Sequence, residues 1–316
     1  MKIFEIAILI VLIANLISAS QVLALDISMG FDAGYDNNVT QMPDALDSGF
    51  GNYKIRFAQP LTFSHPSLLN NLDGEFFTLF QYKDYFAVRD NYRLEAGTTF
   101  SWPIFDKRLI LGIMSDLFFF RDNLIESDSR NEWGAGVFIN WVTGNRLNFE
   151  LWHNQWRADY RQSIIYKGSN SGSGKGQSNN KNLSKSRYDR IQITGLNGTF
   201  FCSSEFQTDV ILEYSRIQSS VSSESSRGKT ATAVLNWTPR KVWEVYFQGS
   251  AAKIDYENRV ETPYREDKVT NICFGLSRYF QYVTLKISFE RENNHSSLPD
   301  ETYHQEVIQC GFILFF

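Results

Sequence analysis

Apolar and polar residues alternate along most of this chain, in short runs separated by turn residues. Between residues 25 and 35, Leu25, Ile27 and Met29 alternate with Asp26 and Ser28. Successive side chains of a β-strand point to opposite faces, so this pattern predicts strands with one apolar and one polar face. The segments with this pattern are 25–35, 50–63, 73–86, 90–102, 107–121, 131–142, 145–159, 187–201, 204–218, 229–238, 241–256, 267–279, 281–291 and 302–316.

The connections between these segments also alternate in character. One set is short, as at 142–145, 202–204 and 238–240, and the other set is mostly longer and more polar, as at 121–130 and 160–186. Outer-membrane barrels join an even number of strands by short periplasmic turns and longer external loops. The predicted fold is therefore all-β: one antiparallel transmembrane barrel of fourteen strands, with about twelve to sixteen possible. Both termini are expected on the periplasmic side, and the first strand should pair with the last.

The two ends of the chain predict export and assembly. Residues 6–17 are an apolar run behind Lys2, shorter than a spanning helix needs, so residues 1–24 are predicted to be a signal peptide and residues 25–316 the barrel. At the other end, Gln309, Gly311, Phe312, Leu314 and Phe316 stand at the spacing of a polar residue, a glycine, apolar residues and a terminal aromatic. This segment resembles the C-terminal assembly signal of bacterial outer-membrane β-barrels. The resemblance implies the outer membrane of a Gram-negative bacterium, and the barrel assembly machinery as a partner.

Composition narrows the class further. Aromatic residues make up 15% of the chain, and after residue 24 no apolar run is long enough for a membrane helix. Tryptophan and tyrosine recur near the ends of the apolar faces, as in interfacial girdles: Trp102, Trp133, Trp141, Trp237 and Tyr279. The net charge of −4 gives no nucleic-acid footprint, and the three cysteines do not indicate a disulfide framework.

Charged residues on the polar faces predict a wet lumen. The lumen residues proposed from alternation are Arg56, Arg93, Glu95, Glu150, Lys286 and Glu290. On this basis Leu285→Arg should impair folding, whereas Lys286→Glu should leave the barrel intact and shift its ion selectivity. The lysines of the 160–186 segment are expected in a flexible external loop, where contact with lipopolysaccharide is one interpretation and simple solvation the other.

No arrangement of residues predicts an enzyme, a cofactor or a metal site. The four histidines lack metal-ligand spacing, and His295-Ser296-Ser297 is expected in a polar loop instead of a catalytic arrangement. The paired acids Asp44 with Asp47, and Asp300 with Glu301, are expected to be solvated loop charges.

Residues 33–39, with the sequence AGYDNNV, add a second resemblance. They are similar to the start of the first barrel strand in surface lipoprotein assembly modifiers, whose barrels are also fourteen-stranded. Those barrels follow a periplasmic repeat domain, which we do not expect in this chain. The resemblance implies a barrel that handles a protein or polysaccharide partner in export or surface assembly. The mixed charges of the polar faces favour a porin-like channel for small hydrophilic solutes, and the export barrel is the alternative.

Overall fold

A computed structural model describes residues 25–41, 43, 46–63, 72–88, 90–105, 107–123, 125–165, 184–221, 224–257 and 264–316. The predicted signal peptide, the 64–71 connection and most of the 160–186 loop lie outside these residues. The described chain forms fourteen strands: β1 (Asp26–Asp36), β2 (Ser48–Phe63), β3 (Leu72–Tyr85), β4 (Asn91–Ile104), β5 (Leu109–Asp122), β6 (Arg130–Val142), β7 (Leu147–Ile165), β8 (Ser184–Phe201), β9 (Phe206–Ser219), β10 (Ser226–Trp237), β11 (Trp243–Tyr256), β12 (Glu266–Tyr279), β13 (Val283–Ser296) and β14 (Tyr303–Phe315). Within the described residues, no helix is long and apolar enough to cross a membrane.

The strands form one closed antiparallel barrel in which each pairs with its neighbours in sequence. The first and last strands close it, from Ser28 opposite Phe315 to Asp36 opposite Val307. The predicted fold class and closing pair are therefore confirmed. Closure leaves no unpaired sheet edge, which is the condition for placing strands in lipid.

The outer face of the barrel is apolar. Met29, Phe57, Leu212 and Ile287 are each more than one third exposed, and they share a face of the wall with Trp133. A wall of this kind is stable when lipid covers it, so the protein is a multi-pass outer-membrane barrel. Trp141 and Trp237 lie on the same outer face at the ends of β6 and β10, as expected for an interfacial girdle.

Three expectations about individual segments need correction. Strands β7 and β8 extend to Ile165 and Ser184, well into the segment predicted as a loop, with a register shift after Asp159. Strand β13 likewise extends to Ser296, beyond the predicted end at residue 291. Alternation with polar residues outside the membrane is a weak sequence signal, because both faces are then wet. Tyr279, expected in the outer girdle, lies on the inner face instead and donates a hydrogen bond to Glu244.

Candidate functional site

The inner face of the wall carries the six predicted lumen residues. Arg56 lies between the outward Ile55 and Phe57, and the register places it opposite Leu79 of β3 and Ser28 of β1. The same alternation puts the other five on this face: Arg93, Glu95, Glu150, Lys286 and Glu290. The Glu75 carboxylate of β3 meets Arg56 on the inner side, which assigns the inner face of β3. That these residues line a conducting path stays a prediction.

Arginine and acid form pairs along the inner wall. The Arg56 guanidinium lies 2.7 Å from the Glu75 carboxylate. Arg93 donates to Glu95 two residues further along β4. The same spacing of arginine and acid recurs on β6, on β8 and at the start of β12, with the pairs Arg130 with Glu132, Arg187 with Asp189 and Arg265 with Asp267. The pairs on β4, β6, β8 and β12 lie at the starts of strands that run away from the end of the barrel with longer connections, so they form a charged layer near that mouth. The Arg56–Glu75 pair lies nearer the opposite end, because Ser28, opposite Arg56, and Glu75 are close to the starts of β1 and β3.

Aromatic rings pack against the guanidinium groups of several of these arginines. The Arg187 guanidinium lies 4.2 Å from the ring centre of Tyr160, and Arg265 lies 4.1 Å from that of Tyr256. Arg93 is 4.5 Å from the ring centre of Phe118. Cations at this distance from an aromatic face are attracted to the ring, which restricts the guanidinium further. Sequence analysis missed this layer, although an arginine two residues before an acid recurs in the chain at positions 93, 130, 187 and 265.

From the middle of the barrel toward the end that carries the termini, several acids of the inner wall have no ion-pair partner among the described residues. Glu150 accepts a hydrogen bond from Asn140 at 3.5 Å, Asp209 from Thr199 at 2.6 Å, and Glu290 from Asn271 at 2.6 Å. Within the described part of the chain, neither these three acids nor Glu213 makes an ion pair. The arginine pairs balance themselves, so the unpaired carboxylates give this part of the inner wall a negative charge.

One acid of the inner wall is fully buried. Asp32 of β1 has no exposed surface, and its carboxylate lies 2.7 Å from the Lys286 ammonium and 3.7 Å from that of Lys54. Asn52 also donates to it, at 3.2 Å. Lys286 belongs to β13, so its side chain crosses β14 to reach β1. It crosses at Gly311, which the register places between Lys286 and Asp32.

The position where Lys286 crosses β14 requires glycine for a steric reason. A Cβ atom at Gly311 would clash with the backbone oxygen of Phe31 and with the carboxylate of Asp32. A side chain here would therefore displace the carboxylate that joins β13 and β1. Gly311 thus makes room for an ion pair across the closing seam of the barrel.

The other predicted assembly residues also lie at this seam. Gln309 donates to Ser288 at 3.1 Å, and the Phe312 ring lies 5.9 Å from that of Phe31 on the outer wall. Leu314 pairs with Met29, and the Phe316 backbone N–H donates to the Ile27 carbonyl at 3.1 Å. The residues have structural contacts at the point of closure, and their recognition as an assembly signal stays a prediction.

The histidine and serine considered as a catalytic pair, His295 and Ser296, point to opposite faces of strand β13. His295 and Ser296 belong to β13 and not to a polar loop, and adjacent strand residues point to opposite faces. Ser296 is buried on the inner side and donates to Asp267, while His295 lies on the outer face. Among the described residues, no group of histidine, cysteine and acid side chains could hold a metal ion.

The loop that joins β5 and β6 places a further acid near the mouth. Burial raises the pKa of the Asp128 carboxyl above its ordinary value, and the nearby Asp122 adds to this shift. Arg130 and Arg187 act in the opposite direction. This acid therefore gains its charge at a higher pH than an exposed aspartate does.

No family model and no curated protein sequence matches this chain. Solved structures of outer-membrane proteins do share its fold. In-vitro folded OmpT of Vibrio cholerae, in its trimer form, superposes with a TM-score of 0.51 over 93% of this chain and 99% of that one, at 6% identity. The anion-selective porin from Comamonas acidovorans gives 0.49 over 93% and 99%, at 10% identity. The Pseudomonas putida toluene transporter TodX gives 0.48 over 94% and 90%, at 8% identity. At these identities the likeness to OmpT concerns the fold alone.

Proposed function

We propose that this barrel is a porin-like channel for small hydrophilic solutes, without enzymatic activity, and that it favours cations. The observation that carries the proposal is the inner wall, whose arginines are paired with acids while Glu150, Asp209, Glu213 and Glu290 have no basic partner among the described residues. A barrel of fourteen strands is wider than the eight-stranded type that side chains can fill. Acidic side chains lining such a path raise the local concentration of cations.

The arginine layer supplies a second element of the proposal. Its charges are neutralised by acids two residues away and its guanidinium groups lie against aromatic rings. We expect this layer to shape the mouth without giving it a strong charge. Selectivity among ions should then arise mainly from the unpaired acids beyond it.

The experiment is single-channel recording with the purified protein in planar bilayers. We expect discrete conductance steps, and a reversal potential in a potassium chloride gradient that shows preference for potassium. The triple variant Glu150→Gln, Asp209→Asn, Glu213→Gln should move the reversal potential toward zero. A matched control, Asp159→Asn, Asp255→Asn, Glu306→Gln, removes three acids from the outer face and should leave it unchanged.

Two outcomes would count against the proposal. Equal shifts in both triple variants would show that the inner acids do not set selectivity. A folded barrel without any conductance would favour the alternative, a barrel that handles a protein or polysaccharide partner in export or surface assembly. Residues 33–39 do not favour that alternative structurally, because Asp36 and Asn38 are buried at the seam, where Gln305 donates to Asp36 and Asn38 donates to His304.

A further inference from the structure

Three lysines lie side by side on the outer wall, on three consecutive strands. The register places Lys229 of β10 directly opposite Lys253 of β11, and Lys253 directly opposite Lys268 of β12. All three side chains are exposed. Neighbouring strands are about 4.8 Å apart, so three ammonium groups share a patch of roughly 10 Å. Like charges placed directly opposite on a sheet destabilise it, so the row needs an opposing negative charge.

The protein supplies only part of that charge. Glu266 lies 2.9 Å from Lys253 and 3.5 Å from Lys268, and Asp255 lies 3.4 Å from Lys253. The Asp255 carboxylate also accepts a hydrogen bond from Tyr264 at 2.6 Å. Lys229 forms no ion pair within the described ranges. Three cations therefore face two carboxylates, and both carboxylates lie on the loop side of the row.

On the opposite side of the lysine row the wall forms an apolar trough. Its floor consists of small residues, with Ala231 opposite Ala251 and Ala251 opposite Thr270. Leu196 and Leu212 rise along one side. The trough has a volume of about 950 Å³ and is open to the outside of the barrel.

The position of the lysine row along the strands indicates its depth in the membrane. Lys229 lies near the start of β10 and Lys268 near the start of β12, at the end of the barrel that carries the longer connections. Beyond it the outer face is polar, with Arg227, Asp255 and Glu266, and on the other side it is apolar. The ammonium groups therefore lie where the headgroups of the outer leaflet meet the acyl chains.

We propose that this surface binds a phosphorylated glycolipid of the outer leaflet, of the lipopolysaccharide type. Its phosphate groups contact Lys229, Lys253 and Lys268, and one acyl chain occupies the trough over Ala231 and Ala251. Charge complementarity with the incompletely neutralised lysines selects a phosphate-bearing head. The trough selects a lipid over a free anion. The proposal does not depend on conduction through the barrel.

The test is native mass spectrometry of the full-length mature protein in detergent, titrated with bisphosphorylated lipid A, with its dephosphorylated form and with inorganic phosphate. Wild type should bind the bisphosphorylated lipid in preference to the other two. The variant Lys229→Gln, Lys253→Gln, Lys268→Gln should bind it on the order of tenfold more weakly or worse, as expected for basic residues at an anionic surface. Ala251→Phe, which fills the trough, should also weaken binding. Both variants should remain heat-modifiable on gels, which shows that they fold.

The matched control removes three exposed cations from the opposite end of the barrel: Arg240→Gln, Lys241→Gln, Arg278→Gln. It should bind the lipid as wild type does. Equal loss in this control, unchanged binding in the lysine variant, or equal binding of dephosphorylated lipid would overturn the proposal. Displacement of the lipid by inorganic phosphate would show a phosphate site without lipid recognition. Oligomers that Ala251→Phe abolishes, with lipid binding unaltered, would assign the trough to a second copy of the chain.

Discussion

Gly311 shows how a residue without a side chain can determine a contact between two other strands. Lys286 of β13 reaches the buried carboxylate of Asp32 on β1 only because nothing projects from β14 at the crossing. In the sequence analysis this glycine is one residue of the predicted C-terminal assembly signal. The structure adds a physical requirement at the same position, which applies to folding whether or not the segment is recognised by another protein.

Replacing Gly311 should therefore weaken the closed barrel. We expect Gly311→Ala to lower the free energy of unfolding by about 1–3 kcal/mol, since the added methyl group overpacks against Phe31 and Asp32. Urea titration of the protein in lipid vesicles measures this change. Gly30→Ala is the control, because its Cβ would meet the nearest atom, of Lys54, at an ordinary 3.6 Å. Equal effects of the two substitutions would refute the steric argument.

The ion pair also alters an expectation drawn from alternation alone. Lys286→Glu, which the sequence predicts to be harmless to the barrel, would place a second carboxylate beside the fully buried Asp32. Removing one partner of a buried pair costs roughly 3–5 kcal/mol, and a like charge adds to this cost. We expect Lys286→Glu to reduce the heat-modifiable fraction sharply, and Lys286→Gln to reduce it less. Normal folding of Lys286→Glu would mean that Lys54 and Asn52 suffice for Asp32.

At the scale of strands, the closing pair β1 and β14 is held on both faces. Inside lies the Asp32 cluster, and outside an aromatic row joins Phe312, Phe31 and Tyr53, with ring centres 5.9 Å and 5.1 Å apart. The Phe316 backbone adds one more bond, to Ile27. The last strand therefore gains its stability from contacts with residues at the far end of the chain, which form only when the barrel closes.

Deletion of Phe316 tests the contribution of the last strand, β14, to assembly of the barrel. The truncated chain loses the hydrogen bond to Ile27 and the terminal aromatic side chain, so we expect less folded, heat-modifiable barrel in the outer membrane. Phe316→Tyr keeps both features and should assemble normally. Wild-type assembly of the truncation would exclude a role for this residue in insertion.

The assignment of inner and outer faces can be tested by introducing an arginine on the outer face of one strand and on the inner face of its neighbour. Leu285 of β13 is 47% exposed on the outer face and lies opposite Arg278, near the end of the barrel that carries the termini. An arginine on the lipid face costs about 2–4 kcal/mol at the midplane and about 0–1 kcal/mol near the interface, so we expect Leu285→Arg to cost on the order of 1 kcal/mol. Asn271→Arg introduces the same charge on the inner face, beside Glu290, and should cost much less. Urea titration in vesicles compares them, and similar losses would contradict the assigned faces.

At the scale of the whole molecule, the even number of strands puts both termini at one end. That end carries short connections, including the one between β8 and β9 with the exposed Cys202. The opposite end carries the β5–β6 loop with the exposed Ser127. These two residues are accessible labelling sites at opposite ends of the barrel.

Cysteine labelling on intact cells tests the orientation. In a background with Cys273→Ser and Cys310→Ala, a membrane-impermeant maleimide should leave Cys202 unlabelled until the outer membrane is permeabilised. With Cys202→Ser and Ser127→Cys, labelling should occur on intact cells. The reverse pattern would invert the topology, and the lysine row would then lie in the inner leaflet.

The sequence by itself determined the fold class, the number of strands, the closing pair and the face of most strands. The number of strands and their faces are local features, because alternation along a strand fixes which side chains share a face. The closing pair follows from them, because spanning strands in lipid must leave no open edge. Only the tertiary structure decided which residues of different strands meet: Lys286 with Asp32 across Gly311, the arginines with their rings, and the three lysines in one row. The physical reason is register. A period of two leaves the sliding of one strand along another undetermined, whereas the turns, the seam contacts and the closure of the barrel fix it.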